Sequence, residues 1–167
     1  MEVTIRRART SDVRAVRRLI DGYVRERILL DKPTVTLFES VQEFWVAERD
    51  CDGEVVACGA LHVMWEDLAE VRSLAVDPSC LGRGVGHLLL DKLLQTARWL
   101  GVRRIFCLTF EVDFFAKHGF VEIGEAPVEG DVYEELLRSY DEGVAEFLDL
   151  ERVKPNTLGN SRMLLLL

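Results

Sequence analysis

The chain has 167 residues, 49% hydrophobic and 30% charged, enough apolar material for one core and without a compositional break that would divide it. A net charge of -8 argues against a nucleic-acid or anionic-membrane surface, because such partners select broad basic patches. The four cysteines lack C-x-x-C spacing and the closing apolar run, MLLLL, is too short to span a bilayer. The expectation is therefore one cytoplasmic domain over residues 1–167, with reduced thiols, no metal, no nucleic acid and no membrane.

In chain order, VTIRR (3–7) alternates like a strand. Thr10 or Ser11 is placed to cap a helix whose apolar positions are Val13, Val16, Ile20 and Val24. The arginines of IRRARTSDVRAVRR then form its solvated face. After RILLDKP, the pattern TVTLFESVQEF predicts a short helix with Val35, Phe38 and Val41 inward. FWVAER and EVVACGALHVM are strands joined by DCDG, whose Asp52-Gly53 pair suits a hairpin turn. LAEVRSLAV (68–76) is a third strand, ended by Asp77-Pro78, and its period of two puts Glu70, Arg72 and Leu74 on one face. His62, alone in its strand, reads as a packed or hydrogen-bonded residue.

From Val85 to Leu100 a helical stripe of Val85, Leu89, Leu93 and Ala97, with Leu88 and Leu94 beside it, predicts packing on a sheet, and Gly101 ends it. RIFCLTF (104–110) is a buried strand, and strand–helix–strand implies a parallel crossover. A short helix in DFFAKHGF, a strand near FVEIG, two helical patterns in DVYEELLRSYDEGVAEFLDL and a strand in SRMLLLL complete the chain. The last two helices and the leucine-rich strand offer a surface on which a homodimer could form.

Three glycines, Gly82, Gly84 and Gly86, lie between the third strand and the long helix. Gly86 is followed by His87-Leu88 rather than Lys and a hydroxyl, so the loop is not a Walker A loop, and no G-x-G-x-x-G register fits either. What remains is a bare anion cradle made of backbone N–H groups and the positive helix end.

VRSLAVDPSCLGRGVGHLLL resembles the acetyl-coenzyme A motif of the GNAT superfamily of N-acetyltransferases, a strand, then Gln/Arg-x-x-Gly-x-Gly/Ala, then a helix. Gly84 and Gly86 fall on its small positions, and Leu81 stands where Gln or Arg is usual. IRRARTSDVRAVRRLI and FFAKHGF resemble the superfamily's opening and late elements. The resemblance implies an α/β (α+β) fold, a mixed, mostly antiparallel sheet with one splayed parallel pair and flanking helices. It further implies acetyl-coenzyme A as co-substrate, with Leu74, Ala75 and Val76 lending backbone groups to the pantetheine arm and Gly82, Arg83, Gly84, Val85, Gly86 and His87 cradling the pyrophosphate.

A narrower resemblance is to the acetyltransferase domain of N-acetylglutamate synthases, carried by RILLDKPTVTLFESVQEFWVAERDCDGEVVACGAL, AEVRSLAV, IFCLTFEVDFFAKHGF and PNTLGNSRMLLLL. It implies a stand-alone form acting on L-glutamate, a small-molecule substrate, in the first step of arginine biosynthesis; glutamine, a peptide N-terminus or another amine is the competing acceptor, and a non-catalytic acyl-coenzyme A sensor the third reading. Candidate carboxylate contacts are Lys32, Arg72, Ser161 and Arg162; where the family has a second arginine before that serine, this chain has Gly159 and Asn160. Candidate bases are Glu70, matching the base of histone-type members, and Glu111 at a strand end. Glu70 and Arg72 have a same-face ion pair as their alternative reading, and Glu111 a helix N-terminal acid. Phe115 stands where many members have a tyrosine that protonates the leaving thiolate; water, His118 or Tyr140 are the remaining donors, with His118 also read as a helix cap.

Overall fold

A computed structural model describes residues 1–150 and 159–167. Residues 155–158 of the closing match lie outside the described part. The strands are β1 (Val3–Arg7), β2 (Phe44–Arg49), β3 (Val55–Trp65), β4 (Leu68–Val76), β5 (Arg104–Thr109), β6 (Val121–Glu122) and β7 (Ser161–Leu166). The helices are α1 (Val13–Arg25), α2 (Thr34–Glu39), α3 (Val85–Leu100), α4 (Val112–Ala116), α5 (Gly130–Leu136) and α6 (Glu142–Phe147). The strands form one mixed sheet in the order β1-β2-β3-β4-β5-β7-β6, with β4 and β5 its parallel pair and the other neighbours antiparallel.

The alternation of apolar residues along the strands sends two sets of side chains to opposite faces. Ala69 and Val71 of β4 pack with Leu90, Leu93 and Ala97 of α3 and with Phe115 and Phe120 around α4. On the other face, Val13, Val16 and Ile20 of α1 pack on Phe44, Cys58 and Ala75, while Val144 and Phe147 of α6 close over Leu68 and Phe106. Much of the apolar surface of α5 and α6 is thus taken up in this core, and β7 lies inside the sheet; Tyr133, Leu137, Tyr140 and Leu166 are what remain exposed there. Burial pushes the Cys58 thiol up to about 12 and raises Cys107 as well, which leaves both inert as nucleophiles.

Four local expectations are corrected. Thr10 and Ser11 do not cap α1: they lie in a 3-10 turn held by Asp12, which accepts from the Arg9 N–H at 2.7 Å and from Arg6. In α2 the inward residue is Leu37, 1% exposed, whereas Val35 and Phe38 are 60% and 46% exposed, because the six-residue helix docks by one side chain on α1. Leu88 is exposed, and Leu90 takes the buried place beside the stripe. Finally, Leu74 does not share a face with Glu70 and Arg72.

That last departure has a backbone cause. Arg72 pairs with Ala60 and Ala75 with Cys58, so Ser73 and Leu74 together stand opposite the single residue Gly59, a bulge that puts Ser73 at φ 53°. Glu70 and Arg72 face α6, while Leu74 packs toward Leu89 and Leu93 of α3 above Gly59. Pairing of β4 with β5 also stops at Glu70–Phe106, so the strands splay beyond that point and β4 loses its partner on that edge.

Candidate active site

The splay opens a groove of about 590 Å³ that runs from the glycine loop to the bulge. Its floor is Leu74 and Val76 of β4, and its sides are Tyr23 and Leu29 on one hand and Glu111, Phe114 and Phe115 on the other. Gly82 and Gly84 have φ of 72° and 82°, the left-handed region that side chains disfavour, which turns the chain sharply into α3. Gly86 serves close approach instead, since a Cβ there would stand 3.3 Å from the Phe114 ring. No backbone carbonyl accepts from the N–H groups of residues 82–87 among the described residues, so a row of donors at the head of a 16-residue helix faces the groove. These orphan donors fit a pyrophosphate, and the groove's length of apolar wall fits a pantetheine arm.

Of the residues expected around this ligand, Leu74, Val76, Gly82, Gly84, Val85, Gly86 and His87 line the groove. Ala75 points into the α1 core, and the Arg83 side chain lies outside the lining. His87 stacks on Phe114 and bonds through Nδ1 to His118 Nε2 at 2.7 Å, while His118 Nδ1 meets Asp91 at 3.2 Å. Burial pulls the His118 pKa down, opposed by Asp91. This pairing places His118 beside the cradle, and Tyr140 is 99% exposed; neither borders the acceptor end described next. Tyr23, which the sequence did not single out, donates its hydroxyl to the Val76 carbonyl at 2.6 Å within the groove.

Past the bulge the groove meets a smaller pocket of about 50 Å³, and the two share Leu29, Val71, Arg72, Ser73, Leu108 and Phe110 among their walls. The smaller pocket's polar lining adds Lys32, Glu70, Glu146 and Asn160, together with Gly143, Ile28 and Leu30. Arg17 holds the Lys32 loop by donating to the Lys32 carbonyl and pairing with Asp31 at 3.1 Å. Burial, with the Arg72 charge next to it, lowers the Lys32 pKa, and Asp141, Glu70 and Glu43 work the other way.

Arg72 is buried and held by two carboxylates: Nε donates to Glu70 at 2.8 Å, and Nη1 and Nη2 each donate to Asp141 at 2.8 Å. Burial opposes the guanidinium charge, but Glu70 and Asp141 outweigh it. Burial likewise opposes the Asp141 carboxylate, yet the Arg72 bonds hold it well below the usual range. Asp141 also caps α6 by accepting from the Val144 N–H at 3.0 Å. The pair read from β4 is therefore a buried triad that fixes α6 against the sheet.

Ser161 and Arg162 do not line the pocket. Arg162 donates to the carbonyls of Glu146 and Phe147 at 2.9 and 3.1 Å and meets Asp149, tying the end of α6 to β7. Glu111 lines the coenzyme-sized groove, not the small pocket. Sequence reasoning missed Asp141 and Glu146; the available signal was a single acid inside the otherwise apolar GVAEF, where every residue is buried. Among the described residues no cluster of His, Cys, Asp and Glu suits a metal ion, and no helix is long and apolar enough to cross a membrane.

A sheet splayed at its one parallel pair, with a glycine cradle opening the following helix, defines an acyltransferase of the acetyltransferase (GNAT) family, to which this chain belongs; the family match covers residues 14–120. The chain is 62% identical over 164 residues to an amino-acid acetyltransferase of Mycobacterium tuberculosis, covering 98% of this chain and 94% of that protein. It is 33% identical over 125 residues to the amino-acid acetyltransferase of Neisseria meningitidis, where the match spans 28% of the longer protein. Among solved structures it is similar to a Mycobacterium tuberculosis protein in complex with CoA, with a TM-score of 0.95, 61% identity, and coverage of 98% of this chain and 99% of that one. The fold also resembles N-acetylglutamate synthase from Neisseria gonorrhoeae, complexed with coenzyme A and N-acetyl-glutamate, with a TM-score of 0.76, 24% identity, and coverage of 98% of this chain and 35% of that one.

Proposed function

We propose that this enzyme transfers acetyl from acetyl-coenzyme A to the α-amine of L-glutamate by direct attack within a ternary complex. The observation that carries the reading is the meeting of the groove and the small pocket at Arg72, Ser73 and Leu108, which brings a thioester at the groove's end to an amine in the pocket. The 62% identity to an amino-acid acetyltransferase supports an amino acid as acceptor.

The chain's residues act in order. Residues 82–87 anchor the pyrophosphate with backbone N–H groups, and the unpaired edge of β4 beyond Glu70 holds the pantetheine amides and offers an N–H to the oxyanion near Leu74 to Val76. Lys32 takes an acceptor carboxylate. Arg72, held by Glu70 and Asp141, builds the pocket wall, and Arg162 secures α6 behind it. Amine attack at the thioester carbon then needs no covalent enzyme intermediate, and a thiol of ordinary pKa about 8.5 leaves readily.

One observation favours a second reading with L-glutamine as acceptor. With Arg72 and Arg162 engaged, Lys32 is the lining cation without an ion pair among the described residues, which matches one carboxylate rather than two. Release of coenzyme A thiol with L-glutamate, L-glutamine and a cationic amine decides between them. Turnover of glutamate supports the first reading, turnover of glutamine alone the second, and turnover of the cationic amine alone overturns both. The unpaired state of all four cysteines supports work in the reducing cytoplasm.

A further inference from the structure

Two carboxylates line the acceptor pocket, and they are bonded differently. Glu70 Oε2 accepts from Arg72 Nε at 2.8 Å, so a cation holds it in place. Glu146 is 8% exposed and forms no ion pair through its side chain among the described residues. Among the described residues its side chain accepts one hydrogen bond, from Asn160 Nδ2 to Oε1 at 3.0 Å, which leaves Oε2 without a donor there. The one sealed side-chain polar atom without a partner in the described residues is Trp45 Nε1, so the free Glu146 oxygen is reached from the pocket.

We propose that Glu146, oriented by Asn160, is the catalytic base that takes the proton from the acceptor's ammonium group. The inference rests on the acetyltransferase reading of the same pocket. The ammonium N–H proton passes to Glu146 Oε2, and the freed lone pair forms the C–N bond at the thioester carbon. As the tetrahedral adduct collapses the C–S bond breaks, and the second nitrogen proton ends on the sulfur to give coenzyme A thiol. Glu146 returns its proton to solvent.

The surroundings suit the task. Burial, then the Glu70 charge, raises the Glu146 carboxyl to about 7 against the opposing pull of Asn160, Arg72 and Arg162, which keeps the basic form available at neutral pH. The charged groups around it are Glu70 and Arg72 from β4, Lys32 from the loop before α2, Asp141 at the head of α6, and Arg162 of β7, itself paired with Asp149. Bound next to a positive ammonium, the carboxylate is both counter-charge and proton acceptor. A helix end fixed by the Asp141 cap and the Arg162 bonds holds it still.

The test is the pH profile of kcat/KM for Glu146→Gln, Glu146→Asp and Asn160→Ala, together with a carbon-13 NMR titration of the Glu146 carboxyl in the coenzyme A-bound protein. Glu146→Gln is expected to lower kcat about 100-fold with KM for acetyl-coenzyme A unchanged, and to lose the acid limb near pH 7. Glu146→Asp restores the limb at reduced kcat, and Asn160→Ala moves it upward by removing the donor that favours the carboxylate. A Glu146→Gln enzyme within threefold of wild type and with the same limb overturns the proposal. If wild type turns over no amino acid tried, the acceptor reading fails on that result, while the titration still judges Glu146: a midpoint between pH 6 and 8 supports it, and one below pH 5.5 overturns it.

Discussion

A Cβ on Gly143 would stand 2.5 Å from Arg72 Nη2 and 2.8 Å from Glu70 Oε2, so α6 meets the buried triad through a residue that has no side chain. Helix propensity alone favours alanine at this position by about 1 kcal/mol. The contact reverses that sign. Gly143→Ala is expected to destabilise the protein by about 2 kcal/mol, because Arg72 must leave at least one of its two carboxylates inside the core. Urea unfolding of the variant measures it.

Arg72→Ala and Lys32→Met separate structure from substrate. Removing Arg72 leaves Glu70 and Asp141 buried without their cation, at a cost of about 3–5 kcal/mol in unfolding free energy. Lys32→Met is expected to leave the unfolding midpoint unchanged and to raise KM for the amino-acid acceptor about 30-fold, with KM for acetyl-coenzyme A unaltered, the equivalent of about 2 kcal/mol for a charge-assisted hydrogen bond. Steady-state kinetics with each substrate varied in turn distinguishes the two.

In the cradle, Gly84→Ala forces a side chain into the left-handed region at a cost of about 1–2 kcal/mol. Space is not the obstacle, as nothing lies within 4 Å of the added methyl. Relaxation of the turn re-aims the N–H row, and KM for acetyl-coenzyme A is expected to rise about tenfold while kcat changes little.

The raised Glu146 carboxyl sets a pH dependence of stability. Its folded value, about 7, lies above the ordinary 4.5, so the carboxyl's contribution is fully present below pH 4.5 and is lost as pH rises through 7. Glu146→Gln, which cannot ionise, is expected to gain about 3 kcal/mol over wild type at pH 8 and to match it at pH 4.5. Thermal unfolding at the two pH values reads the difference.

The sequence carried the strands, the long helix and the cradle because each obeys a local rule: alternation along LAEVRSLAV, the stripe from Val85 to Ala97, glycines before a helix. It carried the parallel pair through the strand–helix–strand order, since a long helical connection returns the chain to run parallel. What stayed hidden was long-range. Nothing local says that Arg72 meets Asp141, 69 residues away, or that Asn160 reaches Glu146. Arg162, expected at a substrate, is bonded to the carbonyls at the end of α6, a partnership set by how β7 threads between β5 and β6. Phe38 and Leu37 exchange places for a similar reason, since a six-residue helix has too few positions for its stripe to fix its rotation.

The extra residue at Ser73 also governs how this chain must be aligned. Upstream of it the even-numbered residues of β4 face the acceptor, and downstream the even-numbered residues face the coenzyme side. Matching this strand without a gap to one of regular pleat transposes wall and core over half its length, assigning Ala75 to the groove and Leu74 to the interior. Substitutions transferred between such sequences by position alone would then be made on the wrong side of the sheet.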